Sequence, residues 1–503
     1  MTVTAELPAG DQTSQDAAMM TPPSAEQPVT VDRISWLMER LTAKEKLSLL
    51  DGLDFWHTQP VERLGIPALM LTDGPHGLRK QVTSADHLGI NCSVPATCFP
   101  TGAALASSWD TGLLSEVGKA LAEEARAEQV GVVLGPGLNI KRSPLCGRNF
   151  EYFSEDPLLA GELAGAMVRG LQGEGIGACL KHFAANNQET DRMRISAEID
   201  PRTLREIYLA GFERAVRAGQ PWTVMSSYNK INGTYSAGSS WLLSDTLRAG
   251  WGFDGLVMSD WGGTDNRVTD LKAGLDLEMP SSSGQGAAAV QAAIAQGRLT
   301  MADADRSVRR LLELIARVSP ALAPDQTFDS AGHHALAKRA AIASAVLLKN
   351  EGDLLPLDPG EGGPIAVIGD FARSPRYQGA GSSTVNPTRL DNALDSITAL
   401  VAGRREVRFA RGFTAEAQVS DPLLVEEALV AASGAEVVVL FLGLPPSYES
   451  EGYDRRDLFL PPEQVALANR LAAVNPNLVV VLSIGGVVEV ASWQDQAVAL
   501  LEG

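Results

Sequence analysis

The sequence predicts an α/β protein: a (β/α)8-like TIM barrel followed by an incomplete α/β sandwich. Three observations predict it. From residue 34 to 318, short apolar runs alternate with helical patterns in units of about 30 residues, the rhythm of parallel strands joined by helical crossovers. The runs repeatedly lead into polar side chains, at Asp73, Lys181-His182, Tyr228 and Asp260. In such barrels the C-terminal strand ends carry the site. Past a Pro-, Ala- and Asp-rich stretch at 318–331, a second alternation with buried apolar strands begins and stops at Gly503. The expected layout is a disordered tail (1–30), a barrel (31–318), a linker (319–334) and a sandwich truncated at its C-terminal end (335–503).

The elements follow in order. Residues 34–50 carry apolar side chains every three or four positions, with Thr42 and Glu45 spaced as a capping box. Residues 68–73 form a short strand ending in Asp73, and a Gly/Pro turn with His76 and Arg79 follows it. Helix 110–129 places Leu113, Leu114, Val117 and Leu121 on one face. Strand 132–140 leads to a polar loop with Arg142, Arg148 and Glu151. Helix 157–171, strand 176–183, helix 201–217, strand 222–226 and helix 241–249 continue the alternation. The run Leu256-Val257-Met258 then leads into Ser259-Asp260-Trp261, and segment 273–280 and helix 287–296 complete the first unit. In the second unit, 334–347 and 462–474 read as helices, and 365–369, 436–442 and 478–484 as strands.

Composition excludes several classes. The chain has 503 residues, 45% hydrophobic and 20% charged, which is ordinary for a globular protein. Its formal net charge of −19 opposes phosphate backbones and anionic lipid, so neither nucleic acid nor a membrane is an expected partner. The cysteines, Cys92, Cys98, Cys146 and Cys179, lack metal-ligand spacing and read as free thiols; a Cys92–Cys98 bridge has no independent support. The first 28 residues lack the basic and apolar regions of a secretory signal, and no apolar run could span a bilayer. The expectation is a cytoplasmic protein, with homo-oligomerisation left open.

Several constellations carry chemistry. A carboxylate and a large aromatic at a strand mouth, Asp260-Trp261, suit a sugar site: the acid can attack an electron-poor carbon, and the indole can stack on a pyranose. Asp260 could equally cap the next helix. Glu449 and Glu451 lie in a polar loop after strand 436–442, which reads as a solvated charge run or as a second carboxylic acid brought to the barrel mouth. Glycosidic cleavage needs two carboxyl groups. Lys181, His182 and Arg192 could bind an anion or donate to sugar hydroxyls, and His182 could be a satisfied core residue. Gly379–Ser383 lacks nucleotide-binding spacing, and the histidines show no paired metal spacing.

Six motifs together resemble the glycoside hydrolase family 3 β-glucosidases, from about residue 34 to the last. They are Leu71-Thr-Asp-Gly-Pro-His-Gly-Leu-Arg79, Gly147-Arg-Asn-Phe-Glu-Tyr-Phe-Ser-Glu-Asp-Pro157, Lys181-His-Phe-Ala-Ala-Asn-Asn-Gln-Glu-Thr190, Val224-Met-Ser-Ser-Tyr-Asn229, Gly255-Leu-Val-Met-Ser-Asp-Trp261 and Glu449-Ser-Glu-Gly-Tyr-Asp-Arg455. The resemblance implies a retaining exo-β-glucosidase that releases glucose from small β-glucosides or oligosaccharides, with no metal or other cofactor. It makes Asp260 the nucleophile and Glu451 the general acid/base, with Glu449 as the fallback. It gives Asp73, Arg79, Arg148, Lys181, His182, Arg192, Met225 and Tyr228 the holding of the sugar, with Ser382 contributed by the second domain. The mechanism leads to three geometric expectations: carboxyl groups about 5–5.5 Å apart, an Asp260 kept ionised by nearby cations, and a Glu451 kept protonated by desolvation.

Lys181-His182-Phe183 continues as Ala-Ala-Asn-Asn, unlike the KHFPGHG pattern of the family's N-acetylglucosaminidase branch. Asp73 resembles the glucosidases, since the xylosidase branch tends to carry Glu there. The alternatives are a β-xylosidase, a β-galactosidase, a hydrolase of glycosylated natural products, or a catalytically silent sugar-binding fragment; a nucleotide-dependent sugar enzyme is more distant. Family members usually continue beyond the point corresponding to Gly503. The expectation is therefore an open sheet edge and a less stable, more aggregation-prone chain.

Overall fold

The computed structural model describes residues 29–82, 85–86, 90–416 and 421–503. The expected N-terminal tail lies outside the described residues except for its last two, of which Val29 is buried in the first core. Two hydrophobic cores organise the chain, one built mainly from residues 29–318 and one from 365–500.

In the first unit, strands β1 (Leu71–Asp73), β2 (Val132–Leu134), β3 (Gly177–Phe183), β4 (Thr223–Ser226) and β5 (Leu256–Met258) form one parallel sheet in sequential order. Every residue of these strands is buried, as expected where helices cover one face and packed side chains the other. The (β/α)8 expectation is corrected here, because the described residues contain five such strands. Isolated bridges carry the pairing onward from β5: Met258 to Leu277, Glu278 to Asp51, and His57 to Met70 beside β1. Pro280 has no N–H with which to extend this pairing, and segment 51–58 doubles back through a Gly52–Thr58 bridge. The first unit is thus barrel-like, with single bridges where further strands were expected.

Local chemistry explains the helices that frame this sheet. Thr42 and Glu45 form the expected capping box. Asp110 caps the helix Thr111–Ala127, and Asp156 caps Pro157–Gly173, where proline occupies the first turn. The helix Met301–Val318 was not anticipated from sequence. It starts with a Thr300–Asp303 capping box and buries Val308, Leu311, Leu312 and Ile315.

The second unit is a six-stranded sheet of β6 (Val346–Asn350), β7 (Ile365–Ile368), β8 (Val407–Ala410), β9 (Val437–Gly443), β10 (Leu478–Ser483) and β11 (Ala499–Glu502), in the order β6-β11-β10-β9-β7-β8. All pairs are parallel except β6 with β11. This corrects the expected open edge at the last residues. β11 lies between β10 and β6, and the Gly503 N–H donates to the Leu482 carbonyl at 3.0 Å. The edges are β6 and β8, and Leu347 and Leu348 on β6 are about half exposed. All four cysteines are free thiols. Among the described residues no helix is long and apolar enough to cross a membrane.

The helix Ser330–Ser344 leads into β6 and is fastened to the first unit by His333. Its Nδ1 lies 2.8 Å from Glu124 Oε1 and its Nε2 3.0 Å from Glu123 Oε2. Burial lowers the imidazole's affinity for its proton, but the two glutamates outweigh it and hold the pKa above the ordinary 6.5. A group whose folded pKa is raised adds stability below its unfolded pKa and loses it as pH rises through the folded value. His333→Ala should therefore cost about 2 kcal/mol at pH 5.5, a scale typical of charge-assisted hydrogen bonds, and markedly less at pH 9. Melting curves of both forms at the two pH values check this; an equal loss at both would show that the charge of His333 is not what holds the contact.

Candidate active site

The strand ends deliver most of the expected residues to one cavity. Asp73 ends β1, Lys181 and His182 lie near the end of β3, Met225 lies on β4, and Tyr228 follows it by two residues beyond the strand. Asp260 follows β5 by one intervening residue, with Trp261 next to it. Arg148 comes from the loop after β2. Ser382 and Glu451 reach the same cavity from the second unit. Arg79 and Arg192 stand just behind: Arg79 pairs with Asp73 at 3.2 Å, and Arg192 pairs with Glu451 at 2.7 Å while covering the Tyr228 ring. Glu449 does not reach this cavity. Its Oε2 accepts the Gly485 N–H at 3.0 Å, and it lines a separate, larger cavity.

Asp260 is oriented by its own backbone neighbour. Oδ1 accepts the Trp261 N–H at 2.7 Å, whereas Oδ2 is buried with no hydrogen-bond partner among the described residues. Such an oxygen calls for a ligand, since buried acceptors are nearly always paired. His182 Nε2 lies 3.7 Å from Oδ2. The other ring nitrogen, Nδ1, is 3.2 Å from the Tyr152 hydroxyl, which itself receives the Asn186 amide. Nδ1 also lies 3.3 Å from Asn139 Oδ1, an acceptor held in place by the His182 backbone, so the imidazole proton can sit on either nitrogen. Burial first, then Arg148 and Lys181, keep this imidazole neutral by pulling its pKa well below the ordinary value. The Trp261 indole N–H is tied to the Phe55 carbonyl at 2.8 Å, and its ring packs against Trp56, so the wall it forms is rigid.

Glu451 is held by two donors and a further cation. Arg192 lies 2.7 Å and Arg148 3.6 Å from Oε1, and the Ser382 N–H donates to Oε2 at 2.8 Å. Burial alone would raise its pKa, but Arg148 and Arg192 together with the Ser382 hydrogen bond hold it well below the usual carboxylate range. Asp260 shifts the other way. Burial pushes it up, Arg148 and Arg192 pull it down, and Glu451 pushes it up again, for a net rise. These directions reverse the expectation that cations would lower Asp260 and desolvation would protonate Glu451. The two arginines act mainly on Glu451, which holds its carboxylate charge. Burial likewise raises Asp73 to about 6 despite Lys181 and Arg79.

Two acids were missed as site residues. Glu151 takes both nitrogens of the Arg148 fork, at 2.7 and 2.9 Å, and lies 3.3 Å from Lys181. Glu189 accepts from Arg192 at 2.7 Å, and burial pushes its pKa up. The signal available was spacing: Arg148 with Glu151, and Glu189 with Arg192, are each three residues apart. With these two, Asp73, Asp260 and Glu451, carboxyl groups outnumber the cations Arg148, Lys181 and Arg192, while Arg79 is shared between Asp73 and Asp86. That excess makes it unfavourable for every carboxyl to ionise together. The cluster can therefore hold a proton, present one unpaired carboxylate oxygen and offer several donors to hydroxyl groups.

Comparison with known proteins gives a consistent likeness. Residues 43–314 match the model of the glycosyl hydrolase family 3 N-terminal domain, and 345–503 that of the family's C-terminal domain. The chain is 50% identical over 469 residues to thermostable beta-glucosidase B of Acetivibrio thermocellus, covering 93% of this chain and 62% of that protein. It is also 50% identical over 473 residues to an exo-alpha-(1->6)-L-arabinopyranosidase of Bifidobacterium longum, covering 92% and 62% respectively. The crystal structure of a Bifidobacterium adolescentis GH3 beta-glucosidase superposes with a TM-score of 0.87 at 50% identity, over 92% of this chain and 66% of that one. The chain thus spans less than two thirds of the length of these relatives.

Proposed function

The chain belongs to glycosyl hydrolase family 3, and on that premise we propose that it is a retaining, exo-acting β-glucosidase, removing terminal non-reducing β-D-glucosyl residues with release of glucose. The observation that carries this reading is the pairing, in one cavity, of an Asp260 oxygen without a partner and the Glu451 carboxyl group. Acids and donors from both units converge on this one cavity, as holding a single terminal sugar ring requires.

In the first step Asp260 Oδ2 attacks the anomeric carbon, and the bond from that carbon to the leaving oxygen breaks as Glu451 gives that oxygen a proton. In the second, Glu451 takes a proton from water, the water oxygen bonds to the anomeric carbon, and Asp260 leaves as carboxylate. Asp73, Arg79, Lys181 and His182 supply donors and acceptors for the ring hydroxyls. The Arg192–Glu451 pair has to part for Glu451 to carry its proton. Hydroxyl donors arriving at Asp260 Oδ2 favour its ionised form, so ligand binding shifts the shared proton toward Glu451.

A second sugar is supported by the equal identity to the arabinopyranosidase. An α-L-arabinopyranoside lacks the hydroxymethyl group and differs from a β-glucoside at the 4-hydroxyl, the part of the ring that would meet the Asp73–Arg79–Lys181 cluster. The test follows the sugar by NMR during turnover of cellobiose and of both nitrophenyl glycosides. The proposal expects β-glucose as the first-formed anomer and faster turnover of the glucoside. First-formed α-glucose would refute retention, and a preference for the arabinopyranoside would move the assignment to the second sugar.

A further inference from the structure

We propose that Asp454 is a positioning residue for the proton-donating step, docking the Glu451 loop of the second unit onto the two loops of the first that carry its arginines. The inference rests on the glycosidase reading above. Asp454 Oδ1 accepts the N–H of Gly147 at 3.1 Å and of Glu189 at 2.9 Å, and Oδ2 accepts the N–H of Thr190 at 2.9 Å. One side chain from the second unit therefore ties together two loops that are more than forty residues apart in sequence.

Those two loops supply the partners of Glu451. Gly147 directly precedes Arg148, and Thr190 lies two residues before Arg192; both arginines face Glu451 Oε1. The docking is reinforced on either side of Asp454. The Gly452 N–H donates to Glu189 Oε2 at 2.9 Å, and the Arg455 N–H donates to the Leu145 carbonyl at 2.8 Å. The fit is close enough that a Cβ at position 147 would collide with the carbonyls of Tyr453 and Ser450. Asp454 does not line the sugar cavity. Its influence on the reaction runs through the placement of Glu451 and of the arginines that set the proton affinity of Glu451. Proton donation is the step most sensitive to that placement, because a donor displaced by about 1 Å no longer meets the leaving oxygen.

The test compares Asp454→Ala and Asp454→Asn with the unchanged chain, using methyl β-glucoside and 2,4-dinitrophenyl β-glucoside. Loss of positioning should lower kcat/KM, which reports the first step, about 30-fold or more for the methyl glucoside and less than about threefold for the dinitrophenyl glucoside, since in that step only the poor leaving group needs the proton. Asp454→Asn keeps one acceptor oxygen and should fall between. Amide hydrogen exchange at Gly147, Glu189 and Thr190 should quicken in both variants. Equal losses of kcat/KM on the two substrates would mean a general distortion and overturn the proposal. Unchanged exchange at the three amides would overturn it whether or not the chain cleaves any glucoside. An unchanged chain inactive on both substrates would refute the glycosidase reading separately, with the exchange result still deciding the clamp. If the Ala variant does not fold, the Asn variant carries both measurements.

Discussion

Asp260→Ala should abolish turnover of every glycoside the chain accepts, with a loss of at least about 10⁴-fold, the scale seen when a covalent nucleophile is removed. Among the described residues, Asp260 is the one carboxyl group in the cavity with a buried oxygen lacking a hydrogen-bond partner. The other acids there are committed, Asp73 to Arg79 and Glu451 to Arg192, Arg148 and the Ser382 N–H. No neighbour can take over the attack. The space left by the truncation should admit a small anion, so azide should restore part of the activity on an activated β-glucoside and give the α-glucosyl azide. Turnover above about one per cent of the original without azide would contradict the assignment.

Glu451→Ala should separate substrates by leaving group. Proton donation contributes about 10² to 10⁴ in rate, and a dinitrophenolate needs none of it. Cellobiose and alkyl glucosides should therefore lose that factor in the first step, whereas dinitrophenyl glucoside should change little in its first step. Rescue by azide should here yield the β-glucosyl azide, because Asp260 still forms the intermediate. Glu449→Ala should show no such separation, since Glu449 faces the larger cavity and the Gly485 N–H. Equal losses on good and poor leaving groups in the Glu451 variant would assign the proton to another acid.

Most of the site was legible in the sequence because its residues sit at strand ends, where a polar side chain after an apolar run has few structural reasons to be there. Asp73, Lys181, His182, Tyr228 and Asp260 all stood out in this way. Ser382 and Glu451 lie in loops of the second unit: only the motif resemblance tied Ser382 to the cavity, and before it Glu451 read as either a solvated charge or a second acid at the barrel mouth. The carboxyl energetics were not legible, because they depend on which acid the arginines choose. Arg192 lies nearly seventy positions before Asp260 and over two hundred and fifty before Glu451, and only folding shows that it contacts the latter. Glu151 and Glu189 were hidden for the same reason. In the fold, long apolar strands such as β3, β9 and β10 were readable from composition. Segments 51–58 and 273–280 were not, since single bridges leave no period-two pattern. β11 was missed because its Ala499–Glu502 run is short and its pairing on both sides is set by distant strands.

The most direct test of the central claim is to incubate the chain with 2,4-dinitrophenyl 2-deoxy-2-fluoro-β-glucoside and to locate the label by peptide mass spectrometry. The fluorine slows both formation and hydrolysis of the glycosyl-enzyme, and the dinitrophenolate leaving group speeds only its formation, so the attacking residue is trapped. Release of one dinitrophenolate per chain with a fluoroglucosyl ester on Asp260 is the predicted result. A label on any other residue, or steady turnover with no label at all, would contradict it.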